Sequence, residues 1–98
     1  MLEQRIFVRG DLDMATAPAL LTELQGAIST TNGTIVLDCK DLTFLDSSGV
    51  RVFITAHRNL RAQGRALEIV NLAPGPKRVL EILGLSDQLV VDGRVDAD

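Results

Sequence analysis

The sequence has one cysteine, Cys39, and no long apolar run. A single cysteine cannot form an intramolecular disulfide, which suits a reducing compartment. The apolar runs are only a few residues long, whereas a membrane-spanning helix needs about 20 apolar residues. The chain also has no charged-then-apolar leader of the kind that directs secretion. We therefore expect a soluble cytoplasmic protein with no membrane partner.

Positive charge and aromatic side chains are also scarce. Ten Lys and Arg stand against thirteen Asp and Glu, for a net charge of −3, and the aromatic residues are three phenylalanines. A protein that binds nucleic acid usually carries a basic surface, and one that binds single strands usually adds aromatic side chains for stacking. We therefore expect no nucleic-acid partner.

At 98 residues the chain fits one domain, 1–98, with an acidic tail at about 92–98. Short runs typical of strands alternate with segments of helical periodicity, which predicts an α/β fold. Strands separated by helices imply mostly parallel neighbours, so we predict a mixed, mostly parallel sheet of four to five strands with about three to four helices. The predicted strands are 6–8, 34–38, 66–70 and 88–91, and the predicted helices are 17–28, 47–62 and 76–83.

The predicted ends of these elements rest on local signals. Gly10 is expected to end the first strand, and Thr16 to cap the first helix. Residues 40–46 are expected to form a connection between the second strand and the second helix. Gly64 and Gly84 are expected to end the second and third helices.

The segment Asp46-Ser47-Ser48-Gly49 lies where a predicted strand leads into the second helix. Unpaired backbone N–H groups and the positive end of the helix dipole meet at such a point, which favours an anion. One interpretation is that Asp46, Ser47 or Ser48 only caps the helix. The other is that the segment carries a function.

Enzyme chemistry is not supported by the residue pattern. His57 lies ten residues after Ser47 on the same predicted helix, hence ~15 Å along its axis, too far for a catalytic pair. One Cys and one His do not make a zinc site, and no glycine-rich phosphate loop is present. We predict a non-enzyme without a cofactor, in which His57 packs with a hydrogen-bonded nitrogen.

The stretch Leu-Thr-Phe-Leu-Asp-Ser-Ser-Gly-Val, residues 42–50, resembles the signature of anti-sigma factor antagonists, which are members of the STAS domain family. Three more segments resemble the family in the same order: 10–17 its first strand and turn, 35–38 its central strand, and 74–85 its third helix and exit turn. The resemblance covers nearly the whole chain and implies a single STAS-type domain.

The resemblance implies a phosphorylation switch at Ser47, the serine directly after the signature aspartate. The partner would be an anti-sigma factor that is also a serine kinase and that brings its own ATP and Mg²⁺. Unphosphorylated, the domain would bind this partner and release a sigma factor; phosphorylated, it would dissociate. A phosphatase that resets the switch is a candidate second partner, and we expect a monomer or a weak dimer.

The same resemblance indicates a partner-binding set of Asp13, Asp46, Ser48, Gly49 and Arg51. The family places the carboxylate corresponding to Asp13 beside the hydroxyl, although an Asx-type turn explains Asp13 equally well. Ser48 is expected to cap the helix. Gly49 either permits a close backbone approach or is a plain turn glycine. Arg51 stands where the family often has a small glycine, and could pair with a carboxylate of the partner.

A second reading of the resemblance is a STAS scaffold subunit of a lipid-transport or stress-signalling complex. The acceptor serine favours the anti-sigma reading. The identity of the bound protein separates the two: a small ATP-binding kinase supports the first, and a transporter ATPase the second.

Overall fold

Strands and helices alternate along the chain in the structure, a computed structural model that describes residues 3–85 and 89–91. The predicted acidic tail and the start of the last predicted strand lie outside these residues. The described elements, in chain order, are β1 Glu3–Leu12, α1 Ala17–Thr30, β2 Thr34–Leu45, α2 Ser47–Ala62, β3 Leu67–Val70, α3 Pro74–Ile82 and β4 Val90–Val91.

The four strands form one sheet in the order β1-β2-β3-β4, and each described neighbouring pair is parallel. Helix crossovers between parallel strands are right-handed, so successive crossovers in one direction place their helices on the same face. Here α1 and α2 pack against each other, and α3 packs against β2. The predicted α/β class is confirmed, with four strands and three helices in the described residues.

The core lies between the sheet and the helices. Side chains alternate along a strand, and Ile35, Leu37 and Cys39 of β2 point into the core together with Leu67 and Ile69 of β3. The apolar stripe predicted for the second helix supplies the opposite wall, and its largest fully buried members are Phe53 and Leu60. In the part of the chain that is described, no helix is long and apolar enough to cross a membrane.

The prediction that Gly10 ends the first strand is wrong. Strand β1 continues to Leu12, and its pairing with β2 shifts register between Phe7 and Arg9 and again between Gly10 and Asp11. Gly10 has φ 69°, a conformation that glycine adopts without strain. Gly10 therefore lies at an irregularity within the strand, as glycines in β-bulges do, and pairing resumes after it.

The predicted connection at 40–46 is also wrong, because β2 extends to Leu45. Two buried leucines, Leu42 and Leu45, are separated by two exposed residues, which breaks the alternation expected of a strand. Pairing with β1 nevertheless continues to Leu45. The long β2 carries the start of α2 to the same edge of the sheet as the end of β1.

The predicted helix ends are confirmed where glycine marks them. Gly64 and Gly84 have φ 71° and 72°, and they follow α2 and α3. The N–H of Arg65 donates to the carbonyl of Leu60, and that of Leu85 to Leu80, which is the hydrogen-bond pattern of a Schellman helix end. By contrast, Thr16 precedes α1 without making a side-chain capping bond, so that prediction is wrong.

A buried carboxylate lies on the side of the sheet opposite the core residues of β2. Asp38 is 5% exposed and accepts hydrogen bonds from the Arg5 guanidinium at 2.7 Å, the Asn71 amide at 3.0 Å and the Lys40 backbone N–H at 3.1 Å. Burial by itself raises the pKa of Asp38. The hydrogen bonds from Asn71, Lys40 and Arg5 together outweigh it, so the pKa lies below its ordinary value.

We expect Asp38→Asn to lower the free energy of unfolding by about 1–3 kcal/mol at neutral pH, because three hydrogen bonds lose their charged acceptor at a buried position. A carboxylate whose pKa is lower in the folded than in the unfolded state stabilises the fold. This stabilisation is fully present at pH values above the unfolded-state pKa, ordinarily 3.8. That stabilisation is lost as the pH falls through the folded-state pKa. Urea unfolding of both proteins between neutral and acid pH measures the difference.

The matched control is Asp41→Asn. Asp41 and Arg9 are 3.9 Å apart with both side chains more than half exposed, and such pairs contribute about 0–1 kcal/mol. Two results would contradict the account of Asp38. One is that Asp41→Asn lowers the free energy of unfolding as much as Asp38→Asn does. The other is that the difference in free energy of unfolding between wild type and Asp38→Asn stays the same in acid.

Candidate functional site

The candidate site lies where β1 and β2 end side by side. Leu12 and Leu45, the last residues of the two strands, are paired, and the N–H of Asp46 donates to the carbonyl of Leu12 at 3.3 Å. The turn that follows β1 and the first turn of α2 therefore meet at the carboxyl edge of the parallel sheet. This is the edge at which open α/β sheets commonly bind their ligands.

Asp46 is the cap of α2. Its backbone is extended, with φ −121° and ψ −171°, and its Oδ1 accepts from the N–H of Ser48 at 2.8 Å and from that of Gly49 at 3.4 Å. These are two of the N–H groups that a helix start leaves without a helical partner. The expected capping role of Ser48 is wrong, because Ser48 contributes its backbone N–H and the carboxylate of Asp46 does the capping.

Ser47 is the first residue of α2 and is exposed. Its hydroxyl makes no hydrogen bond to any residue that the structure describes. Because Asp46 already caps the helix, the fold does not need the Ser47 hydroxyl for that purpose. The hydroxyl therefore stands at the positive end of a 16-residue helix, accessible from solvent.

Asp13 belongs to the turn between β1 and α1. Its Oδ1 accepts from the N–H groups of Ala15 at 2.9 Å and Thr16 at 3.1 Å. The hydroxyl of Thr16 accepts from the N–H of Asp13 at 3.0 Å and donates to the carbonyl of Asp11 at 2.7 Å. The Asx-turn interpretation is thus confirmed. Within residues 3–85 and 89–91, no hydrogen bond joins Asp13 to Ser47, and a direct role of Asp13 stays a prediction.

Gly49 permits a close backbone approach, as one of the two interpretations predicted. A Cβ at this position would lie 2.6 Å from Cδ1 of Leu45 and 2.7 Å from Cγ of Leu12. No ordinary side-chain contact is that short. The first turn of α2 can therefore rest on the ends of β1 and β2 only because residue 49 has no side chain.

Arg51 is exposed on the first turns of α2 and borders a surface groove between α1 and α2. We call this the α1–α2 groove; its volume is about 280 Å³, and it is lined by Met14, Ala17, Pro18, Leu21, Ser48, Arg51, Val52 and Thr55. Ser48 and Arg51 are predicted site residues, but no pattern in the sequence indicates the groove itself. The exposure of Met14, at 78%, carries no recognisable signal in the sequence.

His57 differs from the prediction of a hydrogen-bonded nitrogen. Its Nδ1 is buried and has no hydrogen-bond partner among the described residues. Burial lowers the pKa of His57 because it disfavours the charged imidazolium, and the positive charges of Arg61 and Arg58 lower it further. His57 and Ser47 lie on the same straight run of helix, ten residues apart, so they do not meet.

The family profile described as "Mlab, STAS domain" matches residues 3–92. The chain belongs to the STAS domain family. The predicted family membership is therefore confirmed over nearly the whole chain.

Proteins similar to this STAS domain include bacterial regulators. An anti-sigma-B factor antagonist of Listeria monocytogenes serovar 1/2a (strain ATCC BAA-679 / EGD-e) is 34% identical over 83 residues, covering 84% of this chain and 72% of the relative. An anti-sigma-B factor antagonist of Bacillus subtilis (strain 168) is 26% identical over 90 residues, covering 92% of this chain and 82% of the relative.

Two solved structures share the fold of this STAS domain. The anti-sigma factor antagonist SpoIIAA in its unphosphorylated form superposes with a TM-score of 0.74 at 26% identity, covering 94% of this chain and 90% of SpoIIAA. A sulfate transporter family protein from Wolinella succinogenes superposes with a TM-score of 0.71 at 14% identity, covering 92% and 76% of the two chains. The second match shows the fold alone.

Proposed function

We propose that this STAS domain is an anti-sigma factor antagonist switched by phosphorylation of Ser47. Unphosphorylated, it binds an anti-sigma factor that is also a serine kinase, and a sigma factor is released; phosphorylated, it dissociates. The observation that carries the proposal is the exposed hydroxyl of Ser47 at the start of α2, which makes no hydrogen bond to a described residue. The names of the relatives, anti-sigma-B factor antagonists, agree with it.

The surroundings of Ser47 suit a phosphate. A phosphoserine adds about −1.5 to −2 charge near neutral pH, and the dipole of a helix start favours an anion. The hydroxyl is exposed, so the added group reaches solvent and displaces no core side chain. The fold should therefore tolerate the modification.

A docked partner would not tolerate the same group. Asp11, Asp13 and Asp46 already make this edge of the sheet acidic, and the phosphate adds to that charge. A surface packed against α2 would have to strip water from a dianion without pairing it, which costs several kcal/mol. The modification therefore acts on binding and leaves the domain folded.

In this proposal the kinase partner supplies the reactants for phosphorylation. ATP and Mg²⁺ come with the anti-sigma factor, and a phosphatase restores the hydroxyl. Asp46 presents Ser47 by capping α2, and Gly49 keeps the first turn close to the sheet. Ser48 follows Ser47, and Asp13 belongs to the turn after β1 at the same edge of the sheet; in this proposal both contact the partner.

The test is mass spectrometry of the purified domain after incubation with the serine-kinase anti-sigma factor of the source organism, ATP and Mg²⁺. We expect one phosphate, located on Ser47, and none on the Ser47→Ala protein. Ser48→Ala is the matched control and should be phosphorylated like wild type. Phosphate on Ser48 alone would contradict the choice of Ser47 as the site. No phosphate, with the domain bound to a transporter ATPase in cells, would favour the scaffold alternative.

A further inference from the structure

We propose that the α1–α2 groove is the docking site for a partner segment that presents an apolar side chain beside a carboxylate. The inference rests on the proposed function for the identity of the partner, an anti-sigma factor. The chemistry of the groove itself follows from its lining.

The walls of the groove are apolar. Met14 is 78% exposed, one of the most exposed large apolar side chains described, and it stands at the mouth of the groove with Pro18. Ala17, Leu21 and Val52 form the surface below. An apolar side chain from a partner would remove this surface from water, at about 25 cal/mol for each Å² buried.

The groove has one charge in its lining, for which the described residues provide no ion-pair partner. Arg51 is the sole ionisable residue of the lining, and the ion pairs found among the described residues, Arg5 with Asp38 and Arg9 with Asp41, do not involve it. A guanidinium at the rim of an apolar groove is complementary to a carboxylate, with which it forms paired hydrogen bonds. The occupant should therefore be acidic next to its apolar anchor.

The groove adjoins the proposed switch. Ser48 lines it and Ser47 precedes Ser48. Arg51 follows Ser47 by four residues, a spacing that brings side chains together on one side of a helix. A phosphate on Ser47 would repel the carboxylate of the occupant. Occupancy and phosphorylation are thus expected to oppose each other.

A dipeptide tests the chemistry of the groove directly. The probe is N-acetyl-leucyl-glutamate amide, titrated into ¹⁵N-labelled domain, with N-acetyl-leucyl-lysine amide as the counterpart of opposite charge. We expect saturable shifts of the backbone amides of Met14, Leu21, Arg51 and Val52 with the glutamate probe, and binding weaker by about 5-fold or more for the lysine probe.

Charge reversal provides the matched variant. Arg51→Glu should exchange the preference, so that the lysine probe binds more tightly than the glutamate probe. Arg61→Glu makes the same charge change in the last turn of α2 and should keep the wild-type preference. The proposal is overturned if the groove amides do not shift, or if Arg51→Glu leaves the preference between the probes unchanged. It is also overturned if the groove amides shift with protein concentration alone, because a second copy of the chain would then be the occupant.

The partner supplies a second measurement. Arg51→Glu and Met14→Glu, both at exposed positions, should each weaken binding of the unphosphorylated domain to the anti-sigma factor by about 10-fold, and Arg61→Glu should not. Unchanged binding by both groove variants would overturn the groove while leaving the proposed function in place. If the wild type itself does not bind, the proposed function fails, and the dipeptide titrations decide the groove independently.

Discussion

Ser47→Glu should weaken binding to the anti-sigma factor by at least about 30-fold, whereas Ser47→Ala should bind as tightly as the unphosphorylated wild type. An unpaired charge buried at an interface costs roughly 2–5 kcal/mol, and 2 kcal/mol corresponds to about 30-fold. The alanine has neither the charge nor the hydroxyl, so it cannot be switched off. Calorimetry or fluorescence titration of the two purified proteins measures the effect.

The structure predicts that neither variant weakens the fold. The Ser47 side chain is exposed and the cap is Asp46, so Ser47→Ala should change the free energy of unfolding by no more than about 0.5 kcal/mol. A glutamate in the first turn interacts favourably with the helix dipole, by about 0.3–1 kcal/mol. Thermal unfolding of both proteins separates loss of binding from loss of structure.

A charge control accompanies these variants. Gln25→Glu adds one negative charge at an exposed position of α1, in a different surface depression from the α1–α2 groove. It should bind the anti-sigma factor like wild type. Equal affinities of Ser47→Ala and Ser47→Glu would refute the switch, and an equal loss for Gln25→Glu would show that net charge, and not position, governs binding.

Gly49→Ala should lower the free energy of unfolding by about 1–3 kcal/mol, the usual cost of adding a methyl group to a packed interior. The new Cβ would approach Cγ of Leu12 to 2.7 Å, and that atom is near the backbone, so it cannot move aside alone. Either both leucines change rotamer or the first turn of α2 rises from the sheet. Chemical denaturation measures the loss.

Gly26→Ala is the matched control within α1. Apart from the chain neighbours and the adjoining backbone of α1, no described atom lies within 4 Å of a Cβ at Gly26. Alanine should therefore stabilise the protein by about 0.5–1 kcal/mol through its better helix propensity. If both substitutions stabilise, the close approach at Gly49 does not constrain the fold. We also expect Gly49→Ala to slow phosphorylation of Ser47, because the displaced turn carries the acceptor.

The sequence predicted the parts of the fold that depend on regular periodicity. The apolar stripe from Val50 to Leu60 gave the correct limits of α2, Ser47–Ala62. The position of Ser47 at the helix start follows from those limits. The close approach at Gly49 was one of two interpretations, and only the positions of Leu12 and Leu45 decide between them.

The errors have physical causes. Gly10 is a turn signal in local sequence, yet pairing with a neighbouring strand keeps it within β1. Residues 40–45 lack alternation because two exposed residues separate Leu42 from Leu45. Two findings depend on which side chains the separate elements bring together: His57 Nδ1 has no hydrogen-bond partner among the described residues, and α1 and α2 form a groove. No pattern within one helix contains that information.

The hydrogen bond from the N–H of Asp46 to the carbonyl of Leu12, together with the close approach at Gly49, holds the backbone on either side of Ser47 against the end of the sheet. We expect the backbone at Ser47 to stay in place when a phosphate is added. If Ser47 is the acceptor, the two forms of the domain share one shape and differ only in surface chemistry. The rates of phosphate addition and removal would then set how fast partner binding changes, because the domain would not have to refold between its two forms.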